Sequence, residues 1–173
     1  MYNIPTSAGV PTKTKSTSNN GFYVVIIVTF LCMSLFFVLL ACVKIYRIEG
    51  TSMYPTLKEN SHVICLRTKT IERGDIVAFT GENGFVIKRV IGLPNETIKI
   101  DENGIVSIDG KELTETYIKN FDIGKPDITF PYHIPSNSYF VLGDNRGDSL
   151  DSRHNPIGTL YEDEIICKVK GVI

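Results

Sequence analysis

One uncharged run constrains this chain more than any other feature. Residues 22–43 read FYVVIIVTFLCMSLFFVLLACV, 22 residues without a formal charge. At about 1.5 Å per residue, a helix over this run spans roughly 30 Å, the thickness of bilayer hydrocarbon. A cleavable leader would have an apolar region of about 7–15 residues followed by a small-x-small site, and the following VKIYRIEG lacks that pattern. We therefore expect a retained transmembrane anchor at 22–43.

The residues on either side of this run do not determine its orientation in the membrane. Residues 1–20 are rich in Ser, Thr, Asn and Pro, lack periodicity, and are expected to form a disordered tail. Lys13 and Lys15 precede the run, and Lys44 and Arg47 follow it, so the positive charge barely discriminates between the two orientations. All 19 acidic residues and 16 of the 18 basic ones follow the run. They form no basic block, and no nucleic-acid partner is predicted.

The rest of the chain has the pattern of a β protein. Short β-type runs bounded by turn residues recur: VKIYRI, HVICL, DIVAFT, FVIKRVIGL, TIKI, IVSI, YFVL and IICKVKGVI. Asp109-Gly110 predicts a two-residue hairpin turn, and Asn103-Gly104 predicts another turn just before it. Residues 44–173 should therefore form one all-β domain. Residues 114–135 are the least regular part and are expected to form a loop or cap.

Two cysteines lie in the apolar run and two in the β-type runs. Neither Cys65 nor Cys167, the second pair, belongs to a CxxC or a histidine-rich cluster, so no metal site is predicted. The interpretation we favour is two free buried thiols, with a disulfide between them as the open alternative.

Most hydrolase signatures are missing from the sequence. It has neither a GxSxG elbow nor an HExxH motif. Its three histidines are isolated: His62, His133 and His154. Asp144, Asp148 and Asp151 share a polar loop with two arginines, but their spacing is not that of a calcium loop. No metal and no cofactor are predicted.

A serine activated by a neutral lysine remains as a catalytic arrangement. Lys88 lies in the run FVIKRVI, where apolar neighbours would desolvate its amine and lower its pKa. Strand alternation places Lys88 and Arg89 on opposite faces. Pattern alone favours an edge strand from which both charged groups reach water. The candidate nucleophile is Ser52, in a turn set by Gly50 and Pro55.

Four boxes that follow the apolar run carry a family resemblance. They are GTSMYPT at 50–56, RGDIV at 73–77, KRVIGLP at 88–94 and GDNRGDSLDSR at 143–153. In this order they resemble the type I signal peptidases, the Ser/Lys family of bacterial leader peptidases, in its compact single-anchor form. The resemblance covers almost the whole chain. It implies curved antiparallel sheets, a fold shared with self-cleaving repressor proteases, behind one transmembrane α-helix.

The resemblance also implies a role for each residue that matches a box. Ser52 would be the nucleophile, Lys88 the general base, and Ser149 a group that orients the lysine amine. The Ser52 N–H would donate to the oxyanion, and with Gly50 two residues earlier the second donor is open. The implied supporting residues are an Asp151–Arg153 ion pair together with Asp75 and Arg89. The implied pocket residues are Tyr46, Ile48, Leu57 and Ile87.

The activity implied is a membrane-bound serine endopeptidase that removes signal peptides from exported preproteins after a small-x-small site. Its partners would be preprotein signal peptides and the lipid bilayer, and it would act as a monomer. It would cross the cell membrane once, with the amino terminus in the cytoplasm and the catalytic domain outside. Two alternatives remain open. One is another Ser/Lys enzyme, either repressor-like or a dedicated processing peptidase, and the other is an inactive homologue acting as a membrane-tethered binding module.

Overall fold

The computed structural model describes residues 20–68, 70–81 and 84–173. It has two units. The first contains most of the helix α1, Asn20–Cys42, and the second begins at residue 41 and contains the β domain. Residues 22–42 of the apolar run predicted as an anchor lie in α1, which is long and apolar enough to cross a membrane, and Val43 is the first residue of the following strand. The disordered tail predicted for residues 1–20 falls outside the described residues, except for Asn20 at the start of α1.

The β domain confirms the all-β prediction. Its described strands are β1 Val43–Arg47, β2 His62–Leu66, β3 Ile76–Gly81, β4 Gly84–Gly92, β5 Thr97–Ile100, β6 Val106–Ile108, β7 Lys111–Glu112, β8 Tyr132–His133, β9 Ser138–Leu142, β10 Leu160–Tyr161 and β11 Ile165–Val172. They form a seven-stranded sheet, β1-β2-β11-β3-β4-β9-β10, and a four-stranded sheet, β7-β6-β5-β8. Every strand pair is antiparallel.

Strand β9 separates two hydrophobic cores. All five of its residues are buried, and their side chains alternate between the two faces of the large sheet. Phe140 and Leu142 pack with Ile98 and Val106 of the small sheet, whereas Val141 packs with residues of β3 and β4. The two sheets therefore share a core on one side of β9, and the large sheet builds a second core on the other.

The predicted turn chemistry is present. Asp109 and Gly110 have φ values of 49° and 78°, and they join β6 to β7 as the predicted hairpin. The second predicted turn, at Asn103-Gly104, is closed by the hydrogen bond that the Gly104 N–H donates to Asp101 O at 2.9 Å. Residues 114–131 of the irregular segment 114–135 form no strand, as expected of a loop or cap, but β8 lies near the end of that segment. Four side chains of residues 114–131 pack on the core between the sheets: Tyr117, Ile123, Ile128 and Phe130.

The edge-strand interpretation of β4 is wrong. β4 lies between β3 and β9 in the large sheet, and Lys88 and Arg89 are only 4% and 9% exposed. β9, from a distant part of the sequence, pairs with β4 on the side opposite β3, and local pattern could not show that pairing. The predicted alternation is confirmed, because Val77, the register partner of Lys88, lies in the core beside Val90.

The free-thiol interpretation is also wrong. Cys65 on β2 and Cys167 on β11 form a disulfide across 102 residues of sequence. Strands β2 and β11 are hydrogen-bonded neighbours, so the fold places the two thiols side by side. Both sulfur-bearing residues are fully buried and pack against Ala78.

Candidate active site

The centre of the site is one contact between two side chains. Lys88 Nζ lies 2.6 Å from Ser52 Oγ, within hydrogen-bonding distance, although 36 residues separate them in sequence. Lys88 is held by the sheet pairing of β4, and Ser52 by the loop between β1 and β2. A nucleophile and a base must be this close for direct proton transfer.

The surroundings of Lys88 favour its neutral form. Burial lowers the pKa of the Lys88 amine from its ordinary value of 10.5 to about 8, because the interior solvates an ammonium poorly. Asp151 opposes this effect with its negative charge, and Arg153 reinforces it with its positive charge. A lysine with this pKa can accept a proton near neutral pH, which an ordinary surface lysine cannot.

The loop that carries Ser52 is closed by backbone hydrogen bonds at its ends. Ile48 N donates to Ser61 O and Asn60 N donates to Ile48 O, both at 2.9 Å. Gly50 has a φ of 78°, a left-handed conformation that favours glycine. The Ser52 backbone is held from outside the loop as well, because Asn145 N donates to Ser52 O at 2.9 Å.

The Asp151–Arg153 ion pair implied by the resemblance is present. Arg153 Nε and Nη2 lie 2.8 and 2.9 Å from the two carboxylate oxygens of Asp151, and both residues are buried. Burial alone would raise the pKa of the Asp151 carboxyl, but the hydrogen bonds and charge of Arg153 lower it below its usual value. Asp151 also accepts the Gly143 N–H at 3.0 Å, so the pair fixes the start of the 143–153 loop.

Ser149 lies at the site without making the expected contact. Its Oγ is buried and has no hydrogen-bond partner among the described residues, so the implied bond to the Lys88 amine is not seen. Ser149 instead packs tightly against the Gly143 backbone.

Asp75 and Arg89, the other two implied supporting residues, pair with groups from other parts of the β domain. The Arg89 guanidinium makes two hydrogen bonds to Asp144, at 2.8 and 2.6 Å. Asp75 accepts from Lys168 Nζ on β11 at 2.6 Å and from the Glu72 N–H at 2.7 Å. These contacts tie β4 to the 143–153 loop and β3 to β11.

A cavity of about 250 Å³ opens beside the Ser52–Lys88 pair. Ile48 and Ile87, two of the four predicted pocket residues, line it. Leu57 is fully buried in the core behind Ile48, and Tyr46 packs on Phe85 with ring centroids 4.4 Å apart. Neither is among the lining residues, which also include some that sequence reasoning missed: Glu49, Met53, Phe85, Val86, Leu150 and Ile157.

Several residues of the 143–153 loop and the cap also went unassigned. Asn145 and Arg146 lie in the GDNRGDSLDSR box, and this position is the only sequence feature that distinguishes them. Glu115 and Tyr117 lie in the irregular segment, whose pattern predicted no role for them.

Comparisons with known proteins identify a matching family and several relatives. The profile of the family described as signal peptidase, peptidase S26, matches residues 21–173. The signal peptidase I V of Bacillus subtilis strain 168 is 39% identical over 137 residues, covering 70% of this chain and 80% of that protein. A signal peptidase I of Bacillus amyloliquefaciens is 37% identical over 134 residues, covering 70% and 68%. A solved signal peptidase I from Enterococcus faecalis V583 is 32% identical and covers 62% of this chain and 99% of its own, with a TM-score of 0.45.

Proposed function

This chain belongs to the signal peptidase family of peptidase S26, serine endopeptidases that remove signal peptides, and we propose that it does so with Ser52 as nucleophile and Lys88 as general base. The observation that carries the assignment of residues is the 2.6 Å contact between Lys88 Nζ and Ser52 Oγ. It combines direct contact with a buried amine of lowered pKa, which are the two requirements for a lysine base.

The geometry supports the following reaction sequence. Neutral Lys88 takes the Ser52 hydroxyl proton as Oγ attacks the scissile carbonyl, and the carbonyl oxygen becomes an oxyanion. The Lys88 ammonium then gives that proton to the leaving amine, which leaves an acyl-enzyme on Ser52. In deacylation the same amine takes a proton from water as the water oxygen attacks the ester carbonyl. The bond between the acyl carbon and Oγ then breaks, the carboxylic acid product leaves, and Ser52 Oγ takes the proton back from the Lys88 ammonium.

The oxyanion donor we propose is the backbone N–H of Ser52. Gly50 has no side chain to contribute, and the Thr51 hydroxyl donates to Asp148. A second donor is therefore not assigned to residues 50 or 51.

The substrate would enter the cavity beside Ser52 as an extended strand. We propose that Ile48 and Ile87 limit the side chains accepted at positions −1 and −3 of the signal peptide, because both line that 250 Å³ space. The family resemblance supports a preference for small residues there.

Membrane topology is part of the same proposal. We propose that α1 crosses the membrane once, with the amino terminus in the cytoplasm and the catalytic domain outside, and that the enzyme acts as a monomer. The Cys65–Cys167 disulfide supports this placement, because disulfides form and persist in oxidising compartments. Anchoring enzyme and preprotein in one bilayer raises their effective concentration without further contacts.

The test is cleavage of a purified preprotein in detergent by wild type, Ser52→Ala and Lys88→Ala, with the product's new amino terminus sequenced. We expect wild type to cut after a small-x-small site and both variants to lose at least about 10³-fold in rate. Lys99→Ala, which removes an exposed lysine of β5, is the matched control and should retain full activity. Folded Lys88→Ala with more than a tenth of wild-type activity would contradict the assignment.

The same experiment separates the alternatives. A dedicated processing peptidase would cut only one member of a panel of preproteins. A binding module would be folded, would cut none of them, and would not be labelled by a serine-acylating inhibitor.

A further inference from the structure

Two residues of the cap, Glu115 and Tyr117, are joined to a residue of the 143–153 loop. Glu115 is buried and receives two hydrogen bonds from the Arg146 guanidinium, at 3.0 and 2.5 Å. Its side chain is only 1% exposed, and that of Arg146 only 2%. The Tyr117 hydroxyl donates to the same carboxylate at 2.6 Å. Hydrogen bonds are what stabilise a buried pair of this kind, and Arg146 Nε adds a third, to Gly143 O at 3.1 Å.

Tyr117 extends the contact to a second arginine. The Arg89 guanidinium lies over the Tyr117 ring, 4.0 Å from the centroid, and makes its two hydrogen bonds to Asp144 from there. Burial, together with Glu115, raises the pKa of the Tyr117 hydroxyl well above its usual value, so the hydroxyl stays protonated and donates. Glu115 and Tyr117 therefore contact two arginines, Arg146 and Arg89. Arg146 directly follows Asn145, and Arg89 binds Asp144, the residue that directly precedes it.

Asn145 is the point at which this network reaches the nucleophile. Its N–H donates to Ser52 O at 2.9 Å, and its side-chain Nδ2 donates to Thr51 O at 3.3 Å. Thr51 C=O and Ser52 N–H belong to the same planar peptide unit and point in opposite directions. A group that hydrogen-bonds to Thr51 O therefore also orients the Ser52 N–H, the proposed oxyanion donor.

We propose that Glu115 and Tyr117 are positioning residues that orient the Ser52 N–H through Arg146, Arg89 and Asn145. This inference rests on the proposed roles of Ser52 and its N–H. A small rotation of the peptide that joins Thr51 to Ser52 misaligns a donor that is effective only where the oxyanion forms. The binding of an uncharged ground state should be unaffected, because neither cap residue is among those that line the cavity beside Ser52.

The test compares the full-length chain in detergent as wild type, Glu115→Gln and Tyr117→Phe. Glu115→Gln keeps the shape of the side chain but removes its charge, and Tyr117→Phe keeps the ring over Arg89 and loses only the hydroxyl. Glu112→Gln, an exposed glutamate on β7, is the matched control. Two probes carry the same small-x-small sequence. One is a peptide aldehyde, which adds reversibly to Ser52 and forms an oxyanion, and the other has a reduced –CH₂–NH– bond with no carbonyl oxygen.

We expect Glu115→Gln to lower kcat by about 10- to 100-fold and to weaken aldehyde binding by the same factor. Tyr117→Phe should do the same by about 3- to 10-fold, and it leaves the buried ion pair intact if Glu115→Gln fails to fold. Reduced-peptide affinity should stay within about 2-fold, since that probe makes no oxyanion contact. The pH midpoint of kcat/KM should not move, because Glu115 is not among the charges that set the Lys88 pKa.

Two outcomes would overturn the proposal. One is an unchanged kcat per folded molecule in both variants. The other is an equal loss of affinity for aldehyde and reduced peptide, which indicates a disturbed fold or pocket. Failure of the proposed catalytic site looks different: wild type itself would then neither cleave nor bind the aldehyde more tightly than Ser52→Ala does.

Discussion

Gly143 and Ser149 are packed so closely that no side chain fits between them. A Cβ atom at Gly143 would overlap Ser149 Oγ and would lie 2.6 Å from the backbone oxygen of Ser52. Gly143 has an ordinary φ, so its requirement for glycine comes from this space and not from backbone strain. The 143–153 loop, which carries much of the support for the site, is thus in direct contact with the nucleophile's backbone.

We therefore predict that Gly143→Ala loses about 100-fold or more in kcat. The added methyl group must displace either the Ser149 side chain or the Ser52 peptide, and the peptide cannot move without shifting the backbone of the loop that carries the nucleophile. Steady-state kinetics on a preprotein would measure the loss. Gly171→Ala is the matched control, because a Cβ there meets nothing within 4 Å. Wild-type kcat in folded Gly143→Ala would show that the loop has room to adjust.

The pKa of Lys88 predicts how the rate depends on pH. With a pKa of about 8, about a tenth of Lys88 is neutral at pH 7 and about nine tenths at pH 9. Only the neutral amine acts as a base, so kcat/KM should rise by about tenfold between these pH values, to a plateau. A profile that is flat from pH 6 to 9 would contradict a lysine base.

Asp148 offers a mild change to the same pKa. Its negative charge raises the pKa of Lys88, and its side chain is exposed. Asp148→Asn should therefore shift the midpoint of the pH–rate profile to lower pH and increase activity at pH 7. Asparagine can still accept the hydrogen bond from Thr51. Asp163→Asn, also exposed, is the control and should leave the midpoint in place. A midpoint shifted upward in Asp148→Asn would contradict this electrostatic account.

Local sequence patterns predicted the elements of this fold but not the contacts between distant parts of the chain. The alternation in β4 and the Asp109-Gly110 turn are set by neighbouring residues, so both could be predicted. The central place of β4 in the large sheet depends on its pairing with β9, which begins 50 positions after Lys88, and the residues of β4 alone do not indicate that pairing. Glu115 and Arg146 are 31 residues apart in sequence. Arg146 lies in the 143–153 box but Glu115 lies in no box, so their pairing could not be predicted.

The Cys65–Cys167 disulfide predicts a large stability difference on reduction. A disulfide that closes a loop of this length restrains the unfolded chain, and its removal typically costs about 2–4 kcal/mol. Cys65→Ser with Cys167→Ser should lower the free energy of unfolding in urea by that amount. Cys32→Ser, which changes a free cysteine of α1, is the control and should leave it unchanged. Equal unfolding midpoints for the double variant and wild type would show that the bond adds nothing.

Ile48 and Leu57 together allow substrate selectivity to be separated from stability. Both belong to the same buried cluster, but only Ile48 also lines the cavity beside Ser52. Truncation of either to alanine should destabilise the fold by about 2–5 kcal/mol, because each leaves a hole in a packed core. Ile48→Ala should also enlarge the cavity, so peptides with a larger residue at −1 or −3 should gain in kcat/KM relative to alanine peptides. Leu57→Ala should keep the wild-type ranking.

The measurement is a set of peptides in which −1 and −3 vary separately, with rates normalised to the fraction of folded enzyme. One extra methylene in an apolar pocket changes discrimination by roughly 10- to 200-fold, so a relaxed Ile48→Ala should be easy to detect. The position at which selectivity relaxes identifies the subsite that Ile48 forms. If both variants relax equally, core softening explains the change and Ile48 forms no pocket wall. If neither relaxes while both are folded, the cavity beside Ser52 does not receive these side chains.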